Sequence, residues 1–149
     1  MKFSESLKKN KDFQNVYNNG KSYANKYLVM YVQKNGTECN RLGISVSKKV
    51  GNSVVRHRLT RLIREVYRLH EETFNNGLDV VVIARVSAKN ICYHQMESSL
   101  LHLANLHHII KLWKKYYYIW FDFIRKIFHL IRGLLVRIFH PVQLMAVKR

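Results

Sequence analysis

Residues 51–68 read GNSVVRHRLTRLIREVYR, a single segment that threads five arginines and a histidine through a regular series of Val, Leu and Ile. At about 100° per residue, Val55, Leu59, Leu62, Ile63, Val66 and Leu69 fall into one arc. Arg56, His57, Arg61, Arg64 and Arg68 fall into the opposite arc, with Arg58 at the edge of the basic face. The spacing predicts an amphipathic helix pinned to a sheet by one stripe and offering guanidiniums on the other. Asn52 or Ser53 is placed to cap its start by accepting a hydrogen bond from a free backbone NH, and Lys48, Lys49 and Gly51 fall in the loop before it. A solvated helix face ordinarily mixes signs, so that carboxylates support basic residues one turn away. Here Glu65 is the sole acid. Five such arginines repel one another unless something anionic lies over them, and a planar guanidinium fork matches phosphate oxygens in pairs. The segment is therefore read as a nucleic-acid contact.

The flanking segments supply the sheet. RLGISVS at 41–47 alternates Leu42, Ile44 and Val46 against polar or small neighbours, the period of a half-buried strand. YLVMYV at 27–32 is a β-branched and aromatic run, and QKNGTECN at 33–40, with Asn35 and Gly36, reads as a hairpin loop. These two strands are thus expected to be antiparallel neighbours. After the turn cluster Asn75, Asn76 and Gly77, LDVVVIA at 78–84 is apolar enough for burial on both faces and is expected at the centre. KDFQNVYN at 11–18 spaces Phe13, Val16 and Tyr17 on one face of a first helix that Asn19 and Gly20 stop. Met96, Leu100, Leu103, Leu106 and Ile110 give a further helix over 93–111. The order helix, strands, helix, strand, helix predicts an α+β domain, a small mixed β-sheet packed with helices.

A chain of 149 residues is the size of one domain. Lys plus Arg is 26 against 9 for Asp plus Glu, a formal charge of +17 whose self-repulsion calls for a polyanionic partner. Hydrophobic residues make up 48%, so the chain is expected to fold rather than act as a disordered basic tail. Cys39 and Cys92 lie far apart with no paired spacing, which argues against a disulfide framework or a structural zinc site. His102, His107 and His108 lack a carboxylate constellation, and no metal or catalytic role is expected of them. The opening MKFSESLKKNKDF has no apolar stretch after its basic residues, leaving the cytoplasm as the expected location. No run approaches the ~20 apolar residues of a membrane span.

The stretch SVSKKVGNSVVRHRLTRLIRE at 45–65 resembles the signature of the bacterial ribonuclease P protein subunit: lysines, Gly-Asn, then Arg-Asn-Arg and two further basic residues on a helix. The likeness continues through LKKNKDFQNVYNNGKSYANKYLVMYV at 7–32, RLGISVSKKVGN at 41–52, LDVVVIAR at 78–85 and YHQMESSLLHLANLHHIIK at 93–111, in order. Two positions depart from the pattern: His57 stands where the family has Asn, and Thr60 where it has lysine. The resemblance implies a ribosomal protein S5 domain 2-like fold. It also implies a left-handed βαβ crossover between 41–47 and 78–84, against the right-handed rule that holds for nearly all such units. It implies that the RNA subunit removes the 5′ leader of precursor tRNA with magnesium, while the protein binds no cofactor and contributes no catalytic residue or metal ligand. By the same resemblance, Lys48, Lys49, Asn52, Arg56, His57, Arg58, Arg61 and Arg64 face the ribonuclease P RNA, with Arg68 on the same basic face. Phe13, Tyr17 and Tyr31 match a cleft for the single-stranded leader, where aromatic faces stack on bases of any sequence.

Family members usually end soon after the third helix, so 1–111 is read as the ribonuclease P protein domain and 112–149 as an extension. LWKKYYYIWFDFIRKIFHLIRGLLVRIFH at 112–140 is aromatic and basic. Helical spacing groups Ile119, Phe123, Ile127, Leu130, Leu134 and Ile138, with Asp122, Lys126, His129 and Arg137 toward the other side and Pro141 ending the pattern. A basic amphipathic helix of this kind suits weak association with a membrane surface. A general RNA-binding or chaperone protein, or a peripheral membrane protein led by this tail, shares the same charge.

Overall fold

The computed structural model of the protein describes residues 4–111; the extension read at 112–149, with its expected membrane association, lies outside the described residues. Five strands and three α-helices follow in the order β1 (Ser4–Ser6), α1 (Asn10–Asn19), β2 (Lys21–Ala24), β3 (Leu28–Lys34), β4 (Asn40–Val46), α2 (Ser53–His70), β5 (Leu78–Ala84) and α3 (Tyr93–Leu106). The strands form one mixed sheet, β1-β4-β5-β3-β2, in which β5 runs parallel to β4 and antiparallel to β3. This is the mixed α+β architecture that the sequence pattern predicts.

The expected hairpin between β3 and β4 does not form, because β5 lies between them. The reason is in the side chains of LDVVVIA: all but Ile83 are buried, a demand that only a central position meets. The loop at 35–39 crosses the start of β5 instead of turning back on β3. Asn35 holds it there, its backbone NH donating to the Gly77 carbonyl at 2.9 Å and its side-chain amide to Asp79 at 2.9 Å. Gly77 sits at φ +75°, a conformation that favours glycine. The buried Asn40 then fixes the parallel register. It accepts from the Leu78 NH at 2.9 Å and donates to the Asn75 carbonyl at 2.9 Å.

Two apolar clusters lie on opposite sides of the sheet. On one, Leu59, Ile63, Val66 and Tyr67 of α2 and Met96, Leu100 and Leu103 of α3 pack on Leu28, Met30, Leu42, Val80 and Val82. Full burial of each such aliphatic side chain contributes about 1.5–3 kcal/mol. On the other, α1 covers the sheet with Val16, Phe13 and Tyr17 against Leu7, Tyr31, Val81 and Ile83. Leu69, expected on the inward arc of α2, is exposed; Tyr67 and His70 take the inward positions, and Tyr67 stacks on Phe74 with ring centroids 5.0 Å apart. The third helix stops at Leu106, short of Lys111. Asn75 NH bonds to the Ile109 carbonyl and Lys111 NH to the Thr73 carbonyl, drawing residues 109–111 alongside Phe74. No helix among the described residues is long and apolar enough to cross a membrane.

Candidate nucleic-acid interface

Helix α2 presents the predicted division of its two sides. Asn52 is the N-cap, its side-chain oxygen accepting from the Val55 NH at 3.0 Å. The residue is exposed, and its side-chain NH2 makes no hydrogen bond among the described residues. Just before it, Ser47 accepts from the Lys49 NH at 3.2 Å and shapes a 3-10 turn, Lys48–Val50, that tucks Val50 into the core and leaves both lysines exposed. His57, Arg61 and Arg64 are exposed on the outer side of the helix. Arg56 is half-buried, and its Nε is buried with no hydrogen-bond partner. Among the described residues no carboxylate lies within ion-pair distance of Arg56, His57, Arg61 or Arg64. Residues 39–64 and 80–96 contain no Asp or Glu, and Glu65, next in the chain, is taken up by Arg68.

Two of the expected contacts already have protein partners. Arg68 donates to both carboxylate oxygens of Glu65, at 2.9 and 2.6 Å, and this hydrogen bonding holds the Glu65 carboxyl below its usual range. The pair is open to solvent, so water and salt screen it. Arg58 reaches across to the loop before α3, its Nη1 donating to the Lys89 carbonyl at 3.3 Å and its Nη2 to the Ile91 carbonyl at 2.6 Å. Thr60, in place of a cation, bonds back to the Arg56 carbonyl at 2.9 Å.

On the opposite face of the sheet, Phe13, Tyr17 and Tyr31, which the family resemblance groups, come together. Tyr17 meets Tyr31 edge-on with centroids 5.1 Å apart, and Phe13 lies 6.3 Å from Tyr17. All three remain half-buried, so their rings keep an accessible side. Helix α1 lies over the row Tyr31–Val81–Gly43, of which Val81 and Gly43 are buried, and leaves the next row, Val29–Ile83–Ser45, half-open. Val29, Ile83 and Ser45 thus form a half-exposed row of the sheet beside the aromatic cluster. The strand alternation that puts Val29 with Tyr31 on one face was the signal for them, but it gains meaning only once the strand order is known.

Charge is distributed unevenly along this face. At the start of β4 and β5, Arg41 forms a two-pronged pair with the buried Asp79, at 2.7 and 2.5 Å, and approaches Asp12 at 3.9 Å. At the far ends of the same strands, Lys48 and Lys49 follow β4 and Arg85 follows β5, with no acid near them in the chain. Among the described residues no group of three or more His, Cys, Asp or Glu is arranged to hold a metal ion. Both cysteines are free and exposed.

Comparisons with known proteins agree with this layout. The family model described as Ribonuclease P matches residues 1–108. The ribonuclease P protein component of Lachnoclostridium phytofermentans is 64% identical over 107 residues, covering 72% of this chain and 92% of that protein. That of Clostridioides difficile is 50% identical over 101 residues, covering 67% and 89%. The solved Staphylococcus aureus RNase P protein superposes with a TM-score of 0.68 at 39% identity, covering 72% of this chain and 99% of that one. The Thermotoga maritima RNase P protein superposes with a TM-score of 0.62 at 35% identity, covering 66% and 94%. With an arginine helix on one side of a five-stranded sheet, an aromatic cluster on the other, and a family match over nearly all the described residues, the chain belongs to the ribonuclease P protein family.

Proposed function

We propose that this chain serves ribonuclease P through two surfaces: the outer side of α2 with the Lys48–Lys49 turn against the ribozyme RNA, and the aromatic cluster beside α1 against the single-stranded 5′ leader. As a member of the family it is the accessory protein subunit of an endoribonuclease, assisting RNA-based removal of the 5′ leader from precursor tRNA. The chemical step and its magnesium stay with the RNA, as the family resemblance implies.

The observation that carries the RNA-facing assignment is the exposed set His57, Arg61 and Arg64, with the half-buried Arg56 at its edge, none of which has a carboxylate partner among the described residues while the inner side of the same helix is buried core. Each phosphate contact made there releases a counterion and adds to the salt dependence of binding. Lys48, Lys49 and the Asn52 amide extend the surface toward the sheet. Cations at this place offset the repulsion between two polyanions, the ribozyme and its substrate. In the aromatic cluster, Phe13, Tyr17 and Tyr31 offer stacking worth about 1–3 kcal/mol per base with little sequence preference, which suits a leader of varying sequence.

Equilibrium binding to the reconstituted holoenzyme tests the aromatic cluster. Tyr31→Ala is expected to weaken binding of precursor tRNA carrying a leader, by about 1–3 kcal/mol, and to leave mature tRNA little affected. Equal losses for both tRNAs would contradict the leader assignment.

A further inference from the structure

The sequence places Arg58 among the RNA contacts, yet the guanidinium of this exposed residue is already held by backbone carbonyls of the protein. Its two terminal nitrogens donate to the carbonyls of Lys89 and Ile91, on the loop that joins β5 to α3. That loop has its own frame. Ala88 NH bonds to the Arg85 carbonyl, Lys89 NH to the Val86 carbonyl and Ile91 NH to the Ala88 carbonyl, while Ala88 and Ile91 are buried. Its first turn, Val86–Ala88, packs against the Lys48–Val50 turn, and Lys89 follows directly after it. Lys89 is exposed, and the segments that meet here carry no acid between residues 39 and 64 or between 80 and 96.

We infer that Lys89 is an additional phosphate contact of the RNA-binding surface, and that Arg58 is a positioning residue that holds the loop bearing it. A planar fork spans two carbonyls on one strand of backbone; a lysine ammonium, a point charge on a flexible stem, does not hold both. The inference rests on the reading that the outer side of α2 binds RNA. It extends that surface from one helix and its preceding turn to a second loop, and it moves Arg58 from direct contact to support.

The test is the salt dependence of binding between the full chain and ribonuclease P RNA, measured for Lys89→Ala, Arg58→Ala, Arg58→Lys, the Arg58→Ala/Lys89→Ala double variant and Arg64→Ala, with thermal melting to establish that each is folded at the assay temperature. Lys89→Ala is expected to lower the salt slope by about one counterion unit. Arg58→Ala and Arg58→Lys are expected to lower it equally, and the double variant no further than either single change. Arg58→Lys binding like the unaltered protein, or losses that add in the double variant, would make Arg58 a direct contact and overturn its positioning role. An unchanged slope for the exposed Lys89→Ala, whatever the fate of the Arg58 variants, would overturn the contact itself. A normal loss for Arg64→Ala beside an unchanged Lys89→Ala confines the failure to this inference, whereas an unchanged Arg64→Ala removes the α2 surface as well.

Discussion

A Cβ added at Gly43 would lie 2.8 Å from Phe13 Cε1 and 2.9 Å from its Cζ, with Val81 at 3.2 Å behind, so the missing side chain lets the Phe13 ring rest on the strand. Gly43→Ala is therefore expected to push Phe13 outward and open the Phe13–Tyr17–Tyr31 wall. Leader-carrying precursor tRNA should then bind more weakly while the affinity for ribonuclease P RNA alone holds, a contrast that parallel titrations read directly; equal affinity for the leader-carrying substrate would contradict it. His107 belongs to structure. Its Nε2–H donates to the Met30 carbonyl at 3.0 Å and its ring packs edge-on against Tyr23. Burial pushes its pKa below the usual range, the Met30 hydrogen bond opposes that shift, and Lys21 adds to it. Between the lowered folded value and about 6.5 the unfolded chain binds the extra proton and the native chain does not, so stability falls as pH drops below about 6.5. Urea denaturation across pH 7.5 to 5, as rough bounds around that value, should show a flatter decline in His107→Gln; an unaltered decline would contradict this. Helical spacing in the sequence put Phe13 and Tyr17 on one face of α1, but joining them with the strand residue Tyr31 came from the family resemblance. The engagement of Arg58 was not legible, because a helical projection shows which way a side chain leaves its helix and says nothing of the loop that crosses its path.

Helix α2 begins where Asn52 accepts from Val55 NH, and this exposed residue keeps an amide NH2 that makes no hydrogen bond among the described residues. Asn52→Ala is expected to cost about 1 kcal/mol of stability. Asn52→Asp keeps the cap oxygen and favours the positive end of the helix, so stability should be retained while the added negative charge weakens RNA binding. Denaturant melts alongside RNA titrations separate the two effects, and an Asn52→Asp protein that binds RNA normally would show that the cap does not face phosphate. The sequence revealed each major element because its signal is local: 3.6-residue periodicity for α1, α2 and α3, and β-rich runs for β3, β4 and β5. It missed the short edge strands β1 and β2, three and four residues long with mostly exposed side chains. It also paired β3 with β4. Strand order depends on which segment buries both faces and on long-range ties such as Asn35 to Asp79 and Asn40 to Leu78, 44 and 38 residues apart, which no local turn signal reports.

Across the described domain the opposing charges occupy different places. Glu5, Asp12 and Asp79 gather around Arg41 at the start of β4 and β5, and their electrostatics raise the Arg41 pKa, led by the Asp79 hydrogen bond and opposed in part by burial. The opposite ends of those strands and helix α2 carry Lys48, Lys49, Arg56, Arg61, Arg64, Arg85 and Lys89, none of them in an ion pair among the described residues, since Glu65, the one acid of α2, is taken up by Arg68. Such a separation repels itself in isolation and is relieved against a phosphodiester chain. The net charge made a polyanionic partner legible from composition alone; its placement on two sides of one sheet end required the fold. The most direct measurement is reconstitution of 5′ maturation of precursor tRNA by ribonuclease P RNA at low magnesium, with the full chain or with its Arg61→Ala/Arg64→Ala variant, shown to be folded, at equal concentration. The unaltered chain should support leader removal and the variant should lose most of that support, recovering as its concentration is raised. Cleavage that proceeds identically with both proteins would contradict the assignment of the arginine face of α2 to the ribozyme.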